Sequence, residues 1–176
     1  MSGGEGLRRE LDRIVRAGGI ASPVTTARGL KARLRYLDSG AGRAELERRG
    51  VGARLLRSWE RGVTPSAPKR AAVDAAYWSR RRENVVRSGA LLRILDNEGR
   101  GRRIEIYPVD QTRVPGRYRR DIADRSVQGR YIWDDAVTAW AAGDDGTLDE
   151  IWDDVISELD SDYGAYAYVG AVSIGA

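Results

Sequence analysis

Four residues within one short segment carry the most specific chemistry in the chain. Arg54, Arg57, Ser58 and Arg61 recur at i, i+3, i+4 and i+7, the spacing that gathers side chains on one stripe of a helix. Three guanidiniums and a hydroxyl on such a stripe can bond base edges and phosphate oxygens, the chemistry of a helix lying in the major groove of a duplex. A second set has the density expected of phosphate contacts: Arg80, Arg81, Arg82 and Arg87, then Arg100 and Arg102 beside Gly99 and Gly101. A single run of cations is usually a solvated face. Several runs in the same half of a chain, around a candidate reading helix, point to a polyanion.

The residues that are missing narrow the field further. The 176 residues include no histidine, no cysteine and no phenylalanine. Cysteine/histidine zinc sites, imidazole-activated nucleophiles, ordinary haem ligation and disulfides are therefore excluded. The carboxylate pairs Asp134-Asp135, Asp144-Asp145, Asp149-Glu150 and Asp153-Asp154 mostly fall off the apolar stripes of their segments, without a D-x-D-x-D-G loop, so they read as polar helix faces. No G-x-x-x-x-G-K-[ST] phosphate loop is present. Tyr118 and Tyr131 offer hydroxyls for strand transfer, but tyrosine is more often a packing residue. The expectation is a protein without enzymatic activity, without a metal and without a cofactor. No apolar run approaches the ~20 residues that span a bilayer, and no apolar stretch follows Met1, which predicts a cytoplasmic protein with no membrane partner.

Charge divides the chain. Residues 1–103 hold 24 Lys/Arg against 11 Asp/Glu, and residues 104–176 hold 6 against 15. Lys31 and Lys69 are the only lysines among the 30 cations. A GC-rich genome accounts for most of the preference for arginine, but it does not account for the cations sitting in one half.

The elements that must position the stripe follow from periodicity. Residues 1–6 read as frayed, and residues 7–17 form a short amphipathic helix stopped by Gly18-Gly19. Thr25 or Thr26 caps a helix running to Asp38, with Leu30, Leu34 and Leu37 inward and Arg28, Lys31, Arg33 and Arg35 outward; Ser39-Gly40-Ala41-Gly42 breaks the chain. Residues 44–62 then read helix, glycine turn, helix, glycine stop, the length of a helix-turn-helix. Gly50 supplies the turn, while Leu46, Val51, Leu55 or Leu56, and Trp59 form the small core between the two helices. A further helix from Arg70 to about Leu95 is expected to pack back on the motif. Beyond it come a strand at 103–110, a helix ended by Gly143, a helix capped by Thr147 and a final Tyr/Val/Ile strand able to pair with the first.

The fold class that results is a mainly α N-terminal helix-turn-helix domain followed by a small α+β domain. Its divisions are 1–22, an N-terminal helix and linker; 23–102, the helical domain; and 103–176, an acidic α+β domain. An acidic domain is repelled by the phosphate backbone and left free for dimerisation or partner binding, with Trp133, Trp140 and Trp152 as candidates for either a dimer interface or the domain's core.

PVTTARGLKARLRYL, GRAELERRGVGARLLRSWERG and APKRAAVDAAYWSRRREN together resemble helix-turn-helix DNA-binding regulators of plasmids and prophages in high-GC filamentous bacteria. More distantly, the chain resembles the telomere terminal proteins of linear replicons. The resemblance in layout covers roughly residues 23–176. Glu45, Arg48 and Arg49 depart from it, standing where a standard motif carries small or apolar residues. The resemblance implies a sequence-specific double-stranded DNA binder acting in transcription regulation or replicon maintenance, and the few base pairs that one helix-turn-helix contacts predict a homodimer. A terminal protein covalently linked to DNA 5′ ends is the alternative it offers, but no threonine lies between Arg82 and Tyr107 to carry such a link. A DNA-tethered protein-protein adaptor is the other alternative. The residues leave a small-molecule effector open.

Overall fold

The computed structural model describes residues 1–109, 112, 115–119, 124–159, 166 and 168–175. Among them the chain is mainly helical, with a small antiparallel sheet in its C-terminal part. Its elements in order are α1 (Gly3–Ala17), α2 (Ala27–Tyr36), α3 (Gly40–Arg48), α4 (Ala53–Glu60), α5 (Ala67–Arg87), α6 (Ala90–Asp96), β1 (Arg102–Val109), a 3-10 turn (Gly116–Tyr118), β2 (Arg125–Gly129), α7 (Trp133–Ala142), α8 (Asp145–Ser157) and β3 (Val169–Ile174). They form two compact units, Val15–Val85 and Met1–Ile14 with Val86–Ala176. No helix among the described residues is long and apolar enough to cross a membrane.

Polar caps start the first two helices of the Val15–Val85 unit. The Thr26 hydroxyl accepts from the Gly29 amide at 3.0 Å, and the Ser39 hydroxyl accepts from the Gly42 amide at 3.0 Å, each satisfying one of the free amides of a helix start. The 39–42 segment thus opens α3, where its glycine content predicted a break. Gly42 belongs there because a Cβ would lie 2.3 Å from the Leu37 carbonyl oxygen. The core of this unit gathers Leu37, Leu46, Val51, Val73, Ala76 and Tyr77, with Leu56 and Trp59 packed against it. As expected, α5 packs back on the motif through Val73, Ala76 and Tyr77. Its helix ends earlier than the apolar pattern indicates: Gly89 takes φ +67° and starts α6 as a separate helix.

In the other unit β1 is central, paired antiparallel with β2 (Ile104 opposite Val127) and with β3 (Ile106 opposite Val172). The sequence pattern anticipated the β1–β3 pairing and missed β2. Residues 1–6 are ordered rather than frayed. The Val169 amide donates to the Met1 carbonyl at 3.0 Å, Ser2 bridges to Tyr168, and α1 begins at Gly3. Glycine's missing side chain is the reason, since a Cβ at Gly3 would meet the Trp152 ring at 2.2 Å and one at Gly6 would meet Val172 at 2.5 Å. The Glu10 carboxylate, 8% exposed, accepts from the Ile174 amide at 3.0 Å, so α1 also holds the end of β3. Residues 1–14 therefore fold with the C-terminal strands, whereas charge and composition grouped them as an N-terminal segment; the boundaries at 22 and 102 differ from the observed divisions for that reason.

Trp133, Trp140 and Trp152 are each at most 2% exposed, with their indole N–H groups bonded to the Gly129 carbonyl, the Asp12 carboxylate and the Tyr166 carbonyl. They are core residues of this unit and offer no surface for a dimer contact. The cap of α8 is Asp144, not Thr147: its carboxylate accepts from the Thr147 amide at 3.0 Å and from the Thr147 hydroxyl at 2.8 Å. Those bonds, the backbone one foremost, hold the Asp144 carboxyl below the ordinary carboxylate range. A lowered folded-state pKa stabilises the fold above the unfolded value and ceases to do so as pH falls through the folded one. Asp144→Ala should thus lower the melting temperature at neutral pH, with the gap to the parent closing as the solution is acidified below about pH 4. Melting curves across that range check it, and a gap unchanged at low pH would deny the carboxylate's charge a part.

Candidate nucleic-acid interface

The segment read as a helix-turn-helix folds as α3, a turn at 49–52 and α4. Gly50 makes the turn with φ +73°, in the left-handed region that favours glycine. The Lys69 ammonium clamps it by donating to the Gly50 carbonyl at 2.6 Å. Leu46 and Val51 are buried at 2% and 0% exposure, and Leu56 and Trp59 are half-buried against them. Of the residues assigned to the motif core, Leu46, Val51, Leu56 and Trp59 lie in or against that core, while Gly50 is exposed in the turn.

Glu45, a departure from standard repressor spacing, is 2% exposed on α3. The buried carboxylate is tolerated because Arg48 and Arg49 both pair with it, Arg49 through Nε at 2.7 Å. The three residues that break the pattern thus form one ion-paired cluster. They leave the helix, turn and second helix in place.

On α4 the arginines of the predicted stripe face water. Arg54, Arg57 and Arg61 are exposed, and at 100° per residue they fall within an arc of about 60°. Among the described residues none of their guanidinium groups has a hydrogen bond or an ion pair. Ser58 sits at the edge of the stripe, half-buried, and donates its hydroxyl proton to the Leu55 carbonyl at 2.7 Å, leaving only its acceptor lone pairs.

A groove of about 790 Å³ runs beside this stripe, bordered by α2 and α4. Leu30, Leu34, Leu56 and Trp59 contribute apolar lining, while Lys31, Arg35, Arg43 and Arg57 supply cations and Asp38, Glu47 and Glu60 carboxylates. Arg28, Lys31 and Arg35 recur at i, i+3 and i+7 on α2, all exposed. They form a second cationic stripe in the same unit as the first. The spacing was visible in the sequence, but the longer arginine run at 80–82 drew the phosphate assignment.

No protein family, curated protein or solved structure matches this chain.

Side chains alone therefore define what the surface can bind, and they redistribute the expected phosphate contacts. Arg80 is 8% exposed, paired with Glu83 and bonded to the Asn84 side chain at 3.3 Å, so it is turned away from any external anion. Arg81 is half-buried and donates through Nε to the Val15 carbonyl at 2.9 Å, a bond within the Val15–Val85 unit. Arg82 is half-buried and Arg87 exposed. Arg100 pairs with Glu98 at 2.6 Å in solvent, and Arg102 donates to the Ile94 carbonyl at 2.7 Å. Arg87, Arg100 and Arg102 belong to the unit that contains the sheet. Arg33, expected outward, is 4% exposed and bonds Asp74. An arginine run within a tightly packed helix serves its own fold first; helix α2, with alternate faces buried and wet, leaves its cations available.

The division by charge survives the redrawn boundaries. The Val15–Val85 unit holds 16 Lys/Arg against 6 Asp/Glu, and the other unit 14 against 20. Among the described residues no group of three or more carboxylates is placed to hold a metal ion.

Proposed function

We propose that this chain is a sequence-specific double-stranded DNA-binding protein that lays α4 in the major groove. The observation that carries the reading is the stripe of exposed, unpaired Arg54, Arg57 and Arg61 on the second helix of a helix-turn-helix. Such a helix is narrow enough for the groove, and guanidiniums without internal partners lose no ion pair on binding. Lys31 and Arg35, across the groove from Arg57, take the flanking phosphates in this reading, with Arg28 next to them on the same helix. Base edges thus fall to Arg54 and Arg57, and phosphates to α2.

A protein of this kind acts by occupancy, as a transcriptional regulator or a replicon-maintenance protein. The residue inventory supports a non-catalytic role, since neither imidazole nor thiol is present. One α4 reaches few base pairs, which favours a homodimer reading two half-sites one helical turn apart. The acidic charge of the second unit favours its facing away from the duplex.

The experiment is titration of short duplexes of differing sequence across a salt series. The expected result is an affinity that falls linearly in log–log form with salt, together with one duplex family held tightly at about 0.15 M, where attraction to phosphates alone is weak. Equal affinity for every duplex would remove sequence-specific binding and leave a tethering role.

A further inference from the structure

We infer that α4 reads neighbouring guanines, so that the preferred duplex carries adjacent G·C pairs in each half-site; this rests on α4 being the inserted helix. The exposed positions on α4 are Ala53, Arg54, Arg57 and Glu60, followed by Arg61 at its C-terminal cap. Each base edge in the major groove selects its partner by donor and acceptor pattern. Guanine presents two acceptors, N7 and O6, which fit the two parallel N–H groups of one guanidinium. Adenine presents an acceptor beside a donor, which calls for the amide of Asn or Gln, and residues 53–61 contain neither.

The other polar groups on the helix lean the same way. The Ser58 hydroxyl gives its proton to the Leu55 carbonyl, so it cannot donate to adenine N7 or thymine O4. Glu60, exposed one turn beyond Arg57, carries the group that accepts from cytosine N4, the other base of the same pair. Every committed side chain on this face therefore favours G·C over A·T.

Spacing sets the register. Arg54 and Arg57 are three residues apart, about 4.5 Å along the helix axis, against about 3.4 Å between base pairs. Their forks reach neighbouring pairs rather than the same one. Arg61, after the last helical residue, extends the stripe toward the next pair or its phosphate.

The test begins with selection from a randomised duplex pool at about 0.15 M salt, followed by atom substitution in the winning site. Two neighbouring guanines should be enriched. Replacing either by 7-deazaguanine, which removes the N7 acceptor, should lower affinity about tenfold or more, while inosine, which keeps N7 and O6, should leave it within about twofold. Arg57→Lys keeps the charge but loses the fork, so it should retain affinity for random duplex and lose preference at one guanine. An enriched site without neighbouring guanines, or one indifferent to 7-deazaguanine, overturns the inference while leaving sequence-specific binding intact. Failure to bind any duplex overturns both.

Discussion

Arg57→Ala is expected to cost about 1–3 kcal/mol on the preferred duplex and to flatten the difference between that duplex and random sequence. Lys31→Ala and Arg35→Ala should behave otherwise, weakening every sequence alike and reducing the salt slope by about one each. The contrast follows from position. Arg57 lies on the exposed arc of α4 between Arg54 and Arg61, whereas Lys31 and Arg35 stand on α2 across an apolar groove. A base contact is lost only where its base is present, but a phosphate is present in every duplex. All three residues are exposed and unpaired among the described residues, so their removal leaves no buried group without a partner and the fold should melt as before. Titration of preferred and random duplexes at several salt concentrations separates the two behaviours. If Arg57→Ala weakened both duplexes equally, α4 would be a phosphate-binding helix and the sequence reader would lie elsewhere.

The local grammar of the sequence is why α3, its turn and α4 were legible. Gly50 marks a left-handed turn, Leu46 and Val51 straddle it, and Arg54, Arg57 and Arg61 keep helical spacing on the wet side. Each signal lies within a few residues of its effect. What was not legible depends on partners far along the chain. Gly3 and Gly6 look like fraying until the Trp152 ring and Val172 are brought against them. Arg80 is a different case: its partners Glu83 and Asn84 are near neighbours on α5, and what sets it apart from Arg81 and Arg82 is burial, which leaves it 8% exposed. β2 was missed because Arg125–Gly129 offers only Val127 as a strand-forming apolar residue, and its pairing with β1 supplies the rest. Trp133, Trp140 and Trp152 left interface and core open, because residue type alone does not distinguish a buried ring from an interfacial one.

Asp74→Ala should destabilise the basic unit by about 2–4 kcal/mol and lower its melting temperature by about 10 °C or more. Arg33 lies inside, with its side chain 5% exposed and its Nε 2.6 Å from Asp74 Oδ1. Its Nη1 donates to the Ser22 carbonyl at 2.7 Å and to the Gly29 carbonyl at 3.1 Å, and the guanidinium lies 5.3 Å from the Tyr77 ring centroid. Removing Asp74 deletes the counter-charge and leaves a cation that water cannot reach. Because Asp74 is itself 33% exposed, part of the pair's attraction is screened, which keeps the cost below that of a wholly enclosed pair. Arg33→Met should cost less, since it leaves Asp74 at a site that water reaches, and adding it to Asp74→Ala should recover part of the loss. This pair also sets which way α2 faces: at 100° per residue, Arg28, Lys31 and Arg35 lie within about 40° of the direction opposite Arg33. Anchoring Arg33 inward is thus what turns the cationic stripe outward. Denaturant melts of the two single variants and the double variant measure the coupling. A negligible cost for Asp74→Ala, with no coupling in the double variant, would mean that the two carbonyls and the Tyr77 ring, rather than Asp74, hold the guanidinium in place.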